Sequence, residues 1–247
     1  MNTTRVILVR THYAGNIGSV ARVMTNFGLS DLVLVDPIAD PKEHQARMMA
    51  AGGVAVLEAV RVLNFDDAVA DCTLIYATAG DISGTLRATI AGTPQDLMPK
   101  FAASSGPKAI IFGPEPHGLT TEELGRAHAL LTLPAVGVYS SFNLSMAVGL
   151  TLYELFNASL TVKPSVQREA APFAPVDRAL SHLEESFHAV SYLFGQNAPH
   201  LMHGFRHMIL RSQPTASEVG MLHGLACQLH FIAEKWKESE TDPPNLG

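Results

Sequence analysis

The first 157 residues alternate short, continuously apolar runs with longer segments of helical periodicity. Five apolar runs predict strands, at residues 6–9, 32–35, 74–77, 109–112 and 130–133. Apolar runs without alternation are typical of parallel strands that are covered on both faces. Between the first two runs, Ile17, Val20, Met24 and Phe27 form one apolar stripe, and Gly28 is predicted to end that helix. Residues 1–157 are therefore predicted to be an α/β domain, a parallel sheet with helices on both faces.

The segment from residue 144 to 156 is apolar nearly all round, which predicts a buried helix with Asn143 as its cap. Beyond it, residues 158–176 contain three prolines and predict a linker. Helical stripes follow at residues 177–194, 199–212 and 215–237. We expect a small all-helical C-terminal domain over residues 177–237, and a flexible tail over the acidic residues 238–247.

The composition restricts the class of protein. The chain has 247 residues, a net charge of −6 and two cysteines, Cys72 and Cys227. Two cysteines cannot supply a disulfide framework or a thiolate metal site. No apolar run approaches the roughly 20 residues of a membrane span, and no signal peptide is evident, so we expect a cytoplasmic protein without a membrane partner. The acidic balance argues against binding nucleic acid by bulk charge, and leaves salt-sensitive contacts on one face.

Loops rich in glycine or polar residues follow three of the predicted strands, at residues 78–80, 113–118 and 135–143. Because ligands bind outside the carboxyl ends of strands in an open α/β sheet, we expect these loops to converge on one pocket. A fourth segment, residues 14–22, enters the first helix and places Arg22 off the apolar stripe, where it can reach an anion. The chain lacks the dinucleotide fingerprint, the P-loop and the nucleophile elbow, which argues against the enzyme classes that use them.

Three of these segments carry motifs in a fixed order. The first is Asn16-Ile17-Gly18-Ser19-Val20-Ala21-Arg22, and the second is Phe112-Gly113-Pro114-Glu115-Pro116-His117-Gly118-Leu119-Thr120. The third, at residues 139–148, is Tyr-Ser-Ser-Phe-Asn-Leu-Ser-Met-Ala-Val. Together they resemble the SPOUT superfamily of RNA methyltransferases, in its SpoU/TrmH-like branch and closest to the bacterial TrmJ type. The C-terminal helices are similar to the helical extension of that type.

The resemblance implies a C-terminal trefoil knot in the catalytic domain, S-adenosylmethionine as methyl donor without a metal, and a homodimer that completes an RNA site. The implied reaction transfers a methyl group to a ribose 2′-hydroxyl, in the first hypothesis that of an anticodon-loop pyrimidine of tRNA. Methylation of rRNA is the alternative within the same chemistry. A non-catalytic α/β module that binds RNA or a nucleotide, and a flavodoxin-like cofactor or signalling domain, are the alternatives from other classes.

The resemblance also implies the site residues. The cofactor pocket is expected to contain Thr78, Ala79, Gly80, Gly113, Leu133, Ser140, Ser141, Phe142 and Leu144. The catalytic residues are expected to be Arg22, Ser141, Asn143, Glu115 and Asn16. Since a guanidinium is a poor base, we expect Arg22 to clamp the phosphate beside the reacting hydroxyl. Ser141 and Asn143 are expected to orient the sugar or the cofactor, and Glu115 to position Arg22 or its own loop.

The chain departs from the family pattern in two loops, at residues 80–84 and within the second motif. Related sequences tend to carry arginines there, whereas this chain has none. Arg10, Arg87 or basic residues of the C-terminal helices are the expected substitutes. His203 and His207 lie four residues apart but lack the further ligands of a metal site, and we expect a solvated or RNA-facing helix surface there.

Overall fold

The computed structural model describes residues 3–80, 82, 89–136, 141–161 and 169–241. The strands in these ranges are β1 (Thr4–Val9), β2 (Asp31–Val35), β3 (Arg61–Leu63), β4 (Leu74–Thr78), β5 (Ile90–Gly92), β6 (Lys108–Phe112) and β7 (Ala129–Leu131). The helices are α1 (Ala14–Asn26), α2 (His44–Ala50), α3 (Val54–Glu58), α4 (Phe65–Val69), α5 (Pro94–Ala103), α6 (Thr121–Gly125), α7 (Leu144–Thr161), α8 (Phe173–Ala189), α9 (Ala198–Ser212) and α10 (Ala216–Thr241).

The strands form one parallel sheet in the order β3-β2-β1-β6-β4-β7-β5. All carboxyl ends therefore lie at one edge of the sheet, which is the edge where open α/β sheets bind ligands. The five predicted strands are confirmed. Strands β3 and β5 escape prediction because each has three residues, lies at an edge of the sheet and is mostly exposed. The trefoil knot stays a prediction.

Successive residues of β1 face two different cores. Val6 and Leu8 pack with residues of α1, α2, α5 and α7, whereas Ile7 and Val9 pack with residues of α8, α9 and α10. The C-terminal helices therefore share a core with the sheet. No helix in the described ranges combines the length and the apolarity needed to cross a membrane.

The observed helices extend into the predicted linker and tail. Helix α7 continues to Thr161, α8 begins at Phe173, and α10 continues to Thr241, so both ends of 158–176 and the start of 238–247 are helical. The prolines do not prevent this at α8, because Pro172 precedes the helix and Pro175 lies in its first turn, where an N–H has no intrahelical partner. Burial of Phe173 stabilises that first turn.

Helix α7 is not buried all round, which makes that prediction wrong. One side is buried in the core and consists of Leu144, Val148, Leu152 and Leu155. The opposite side is exposed and apolar, and consists of Met146, Leu150, Tyr153 and Leu160. Their spacing places these four side chains on one face of the helix, which we call the exposed α7 face. The predicted cap is confirmed, since Asn143 Oδ1 accepts a hydrogen bond of 2.9 Å from the backbone nitrogen of Ser145.

Candidate active site

A cavity of about 780 Å³ opens at the carboxyl edge of the sheet, beside the ends of β4, β6 and β7. Eight of the residues expected to hold the cofactor line it, namely Thr78, Ala79, Gly80, Gly113, Leu133, Ser141, Phe142 and Leu144. The remaining one, Ser140, lies outside the described residues. The prediction that the three loops converge on one pocket is confirmed.

The walls of the cavity differ in chemistry. Leu131, Leu133 and Leu144 contribute aliphatic surface, while Glu115 and His117 of the second motif contribute polar groups. The small residues after β4 leave main-chain atoms accessible to a ligand. A volume in the range of roughly 300–1,000 Å³, with apolar walls and a few polar groups, is typical of a small-molecule site.

The second motif folds back on itself at the rim of this cavity. A β-carbon at Gly113 would lie 2.5 Å from the backbone nitrogen of Leu119, so no larger residue fits there. The backbone nitrogen of Gly118 donates a hydrogen bond of 2.9 Å to the carbonyl of Pro114. Helix α6 follows at once, and Thr120 and Glu123 form its predicted capping box. The loop therefore has a fixed shape from β6 to α6.

A hydrogen-bonded network joins the three motifs. Asn16 Nδ2 donates to Glu115 Oε1 at 2.6 Å, and Asn143 Nδ2 donates to Asn16 Oδ1 at 3.1 Å. Glu115 Oε2 also accepts from the backbone nitrogen of His12 at 3.2 Å. Three of the expected catalytic residues thus hold one another in place. Of these three, Glu115 also lines the cavity.

Arg22 lies on the exposed side of α1, six residues after Asn16 and so about 9 Å further along the helix axis. Its guanidinium makes no hydrogen bond or ion pair with any residue that the structure describes. Glu115 contacts Asn16, on the same helix as Arg22, and the backbone of His12, and both of its expected roles stay predictions. No described residue therefore occupies the guanidinium that an anion from outside the chain would bind.

Close packing fixes the helix that carries Arg22. A β-carbon at Gly18 would overlap the carbonyl oxygen of Ala46 in α2, so the glycine of the first motif lets two helices touch. A β-carbon at Gly53 would lie 2.6 Å from the Cα of Arg22. Sequence reasoning missed Gly53, although a Gly-Gly pair between two short helical segments is a signal that a close approach occurs there.

Arg10 is already paired. Its guanidinium donates to both carboxylate oxygens of Glu123, at 2.5 and 2.9 Å, and so ties the end of β1 to α6. Burial raises the pKa of Glu123, but the hydrogen bonds and charge of Arg10 and the hydrogen bonds from Thr120 together hold that pKa below its usual value. Arg10 is therefore not a free replacement for the missing loop arginines, and Arg87 lies outside the described residues.

The expectation of a solvated or RNA-facing surface is wrong for His207, whereas His203 is only half-buried. His207 is 3% exposed, and its Nε2 lies 2.8 Å from the Thr89 hydroxyl at the start of β5. Burial lowers the pKa of His207 to about 4. The periodicity of α9 identifies a helix face but not the strand that covers it. Within the described ranges, no group of three or more His, Cys, Asp or Glu residues is placed to hold a metal ion.

The chain is similar to known proteins over most of its length. The model of the SpoU rRNA Methylase family matches residues 3–153. The tRNA (cytidine/uridine-2′-O-)-methyltransferase TrmJ of Klebsiella pneumoniae is 34% identical over 239 residues, which cover 93% of this chain and 97% of that protein. The crystal structure of TrmJ from Z. mobilis ZM4 is 32% identical with a TM-score of 0.78, covering 92% of this chain and 98% of that one. A probable methylase family protein from Haemophilus influenzae is 31% identical with a TM-score of 0.60, covering 94% and 98%. The chain therefore belongs to the SpoU methylase family.

Proposed function

We propose that the protein is an S-adenosylmethionine-dependent tRNA methyltransferase that modifies the ribose 2′-hydroxyl of an anticodon-loop pyrimidine. The observation that carries this proposal is the network of Asn16, Glu115 and Asn143 at the wall of the cavity. The TrmJ protein of Klebsiella pneumoniae is named for methylation of cytidine and uridine in tRNA, and its similarity extends over the C-terminal helices as well as the sheet.

The cavity suits S-adenosylmethionine. Thr78, Ala79 and Gly80 are small enough to leave backbone groups accessible to the edge of an adenine, while Leu133 and Leu144 supply apolar contact for its faces. When bound, this cofactor supplies an activated methyl group. The protein's contribution is alignment, which can lower a barrier by roughly 7–11 kcal/mol when two reactants are held in a productive geometry.

Arg22 binds the phosphate next to the reacting ribose in this mechanism. Its exposed guanidinium has two donors arranged to hold a phosphate in a bidentate manner. The positive charge lowers the proton affinity of the neighbouring 2′-hydroxyl, and a phosphate oxygen accepts the proton. Ser141 and Asn143 orient the sugar or the cofactor, and Glu115 holds Asn16 together with the loop of the second motif.

The working form that we propose is a homodimer in the cytoplasm, with residues of both subunits completing the RNA site. The exposed α7 face supports a dimer, because Met146, Leu150, Tyr153 and Leu160 form an apolar surface that a monomer rarely leaves in water. A net charge of −6 suits RNA contacts confined to one face of such a dimer.

Nucleoside mass spectrometry of RNA from a deletion strain tests the proposed function. We expect a 2′-O-methylated pyrimidine to disappear from tRNA and to return when the gene is restored. If a 2′-O-methylated nucleoside disappears from rRNA alone, the substrate is rRNA and not tRNA. If no 2′-O-methylated nucleoside disappears, or if calorimetry detects no binding of S-adenosylmethionine, the proposal is wrong.

A further inference from the structure

We infer that Tyr13 is a stacking surface for a nucleobase of the RNA substrate, an inference that rests on the proposed function. Tyr13 immediately precedes α1, and its side chain is 62% exposed. A large aromatic side chain in water has little packing of its own to stabilise it, so its position relative to the site decides what it can do. That position is set by the network of the three motifs.

The backbone on both sides of Tyr13 is anchored. The nitrogen of His12 donates to Glu115 Oε2 at 3.2 Å, and the carbonyl of Tyr13 accepts from the nitrogen of Asn16 at 3.0 Å. Asn16 and Glu115 also bind each other. The residue is thereby held at the site while its ring stays in solvent, which is the arrangement that a preorganised contact for a substrate requires.

The neighbours of Tyr13 suit a flat, apolar-faced partner. The ring of His12 lies 6.4 Å from that of Tyr13 between centroids. The carbonyl of Thr11 accepts hydrogen bonds from Ile38 and Ala39, which brings Ile38, 61% exposed, against the same segment. Proteins that recognise single-stranded RNA loops stack unpaired bases on such aromatic side chains.

Arg22 lies on α1, nine residues after Tyr13 and so about 13 Å further along the helix axis. The helix thus has an aromatic ring just before its start, and further along it a guanidinium without a partner among the described residues. The two groups fit the two parts of a nucleotide chain that are chemically distinct, a base and a phosphate.

Kinetics with tRNA test this role. We expect Tyr13→Ala to raise the KM for tRNA by about fivefold to a hundredfold, the range that loss of one base–aromatic stack produces, with the Kd for S-adenosylmethionine unchanged. Tyr13→Phe keeps the ring and should behave as the wild type. An unchanged KM in Tyr13→Ala, or an equal defect in Tyr13→Phe, would overturn the inference.

Fluorescence gives a readout that does not depend on turnover. The chain has one tryptophan, Trp236, so Y13W in a W236F background reports on this position alone. We expect tRNA to quench it and to leave the matched control, Y192W in the same background, unchanged; Tyr192 is 47% exposed in the C-terminal part. Equal responses at the two positions would contradict stacking at Tyr13.

Two further results separate the possible failures. If the wild-type protein transfers no methyl group to tRNA, the proposed function itself is wrong. If the wild-type protein methylates tRNA and the Tyr13→Ala variant has a normal KM for tRNA, only the stacking role of Tyr13 is wrong. A change in sedimentation of Tyr13→Ala would show that the ring belongs to a contact between two copies of the chain, and would also overturn it.

Discussion

Asn16 makes hydrogen bonds to residues 99 and 127 positions later in the chain. The motifs predict which side chains matter, since Asn16, Glu115 and Asn143 each follow a strand. Their pairing follows from the strand order, which places β1 beside β6, and sequence periodicity does not determine that order. Features that depend only on neighbours in sequence can be predicted without the strand order. The cap at Asn143 involves neighbours in sequence, and spacing alone reveals it.

Arg22→Lys tests whether the guanidinium of Arg22 clamps the phosphate. Lysine keeps the positive charge but loses the planar two-donor fork, so we expect kcat to fall by at least about tenfold. The Kd for S-adenosylmethionine should not change, because Arg22 is not among the residues that line the cavity. Arg47→Lys is the matched control, an exposed arginine on α2 that pairs with Glu58 at 3.1 Å, and should keep its activity. Near-normal kcat in Arg22→Lys would contradict the clamp.

Helix α1 shows what an apolar stripe predicts and what it omits. The stripe of Ile17, Val20 and Met24 is buried as predicted, and Gly28, with a φ of 70°, follows the end of the helix. The close contact of Gly18 with α2 is not predictable, because it depends on where a second helix crosses the first. That contact, together with the one at Gly53, fixes where the backbone of α1 holds Arg22.

Gly18→Ala is therefore expected to destabilise the fold. Its β-carbon meets the backbone of Ala46, which cannot rotate away, so we expect a loss of about 1–3 kcal/mol in the free energy of unfolding. Urea denaturation measures this loss. Gly204→Ala, in α9 with open space around its β-carbon, is the control and should gain about 0.5–1 kcal/mol. Equal stability of the two variants would show that α1 and α2 are not in the contact described.

The two faces of the sheet are covered by different parts of the chain. The α/β class and the all-helical C-terminal part follow from the periodicity of the sequence. Periodicity does not predict that Ile7 and Val9 share a core with helices more than 160 residues later in the chain. Packing between such distant segments leaves no periodic signal in the sequence. The same limit explains α7, whose continuous apolarity does not distinguish burial within one chain from burial between two.

The exposed α7 face makes a prediction about assembly. Leu150→Glu places a charge in the centre of this apolar surface, and we expect sedimentation to show a shift from dimer to monomer at micromolar concentration. Met208→Glu changes a similarly exposed apolar residue on α9 and should leave the dimer intact. If the Leu150→Glu protein sediments like the wild type, the exposed α7 face does not form the dimer interface.

Buried histidines make a prediction about acid stability. Burial lowers the pKa of His207 to about 4, so below pH 6.5 the unfolded chain binds a proton that the folded chain does not. The free energy of unfolding should therefore fall between pH 6.5 and 4, by up to about 3 kcal/mol from this residue. His207→Asn should flatten that slope in urea denaturation, while His188→Asn, on the exposed surface, should not. Equal slopes in all three proteins would contradict the burial of His207.

The transfer of a methyl group from S-adenosylmethionine to a ribose of tRNA can be measured in vitro. The most direct measurement incubates purified protein with labelled S-adenosylmethionine and tRNA, and identifies the labelled nucleoside by mass spectrometry. We predict a 2′-O-methylated pyrimidine from the anticodon loop, and no label with Arg22→Ala although that variant still binds the cofactor. Label on a base, or no label in tRNA from the wild-type protein, would contradict methylation of a tRNA ribose by this chain.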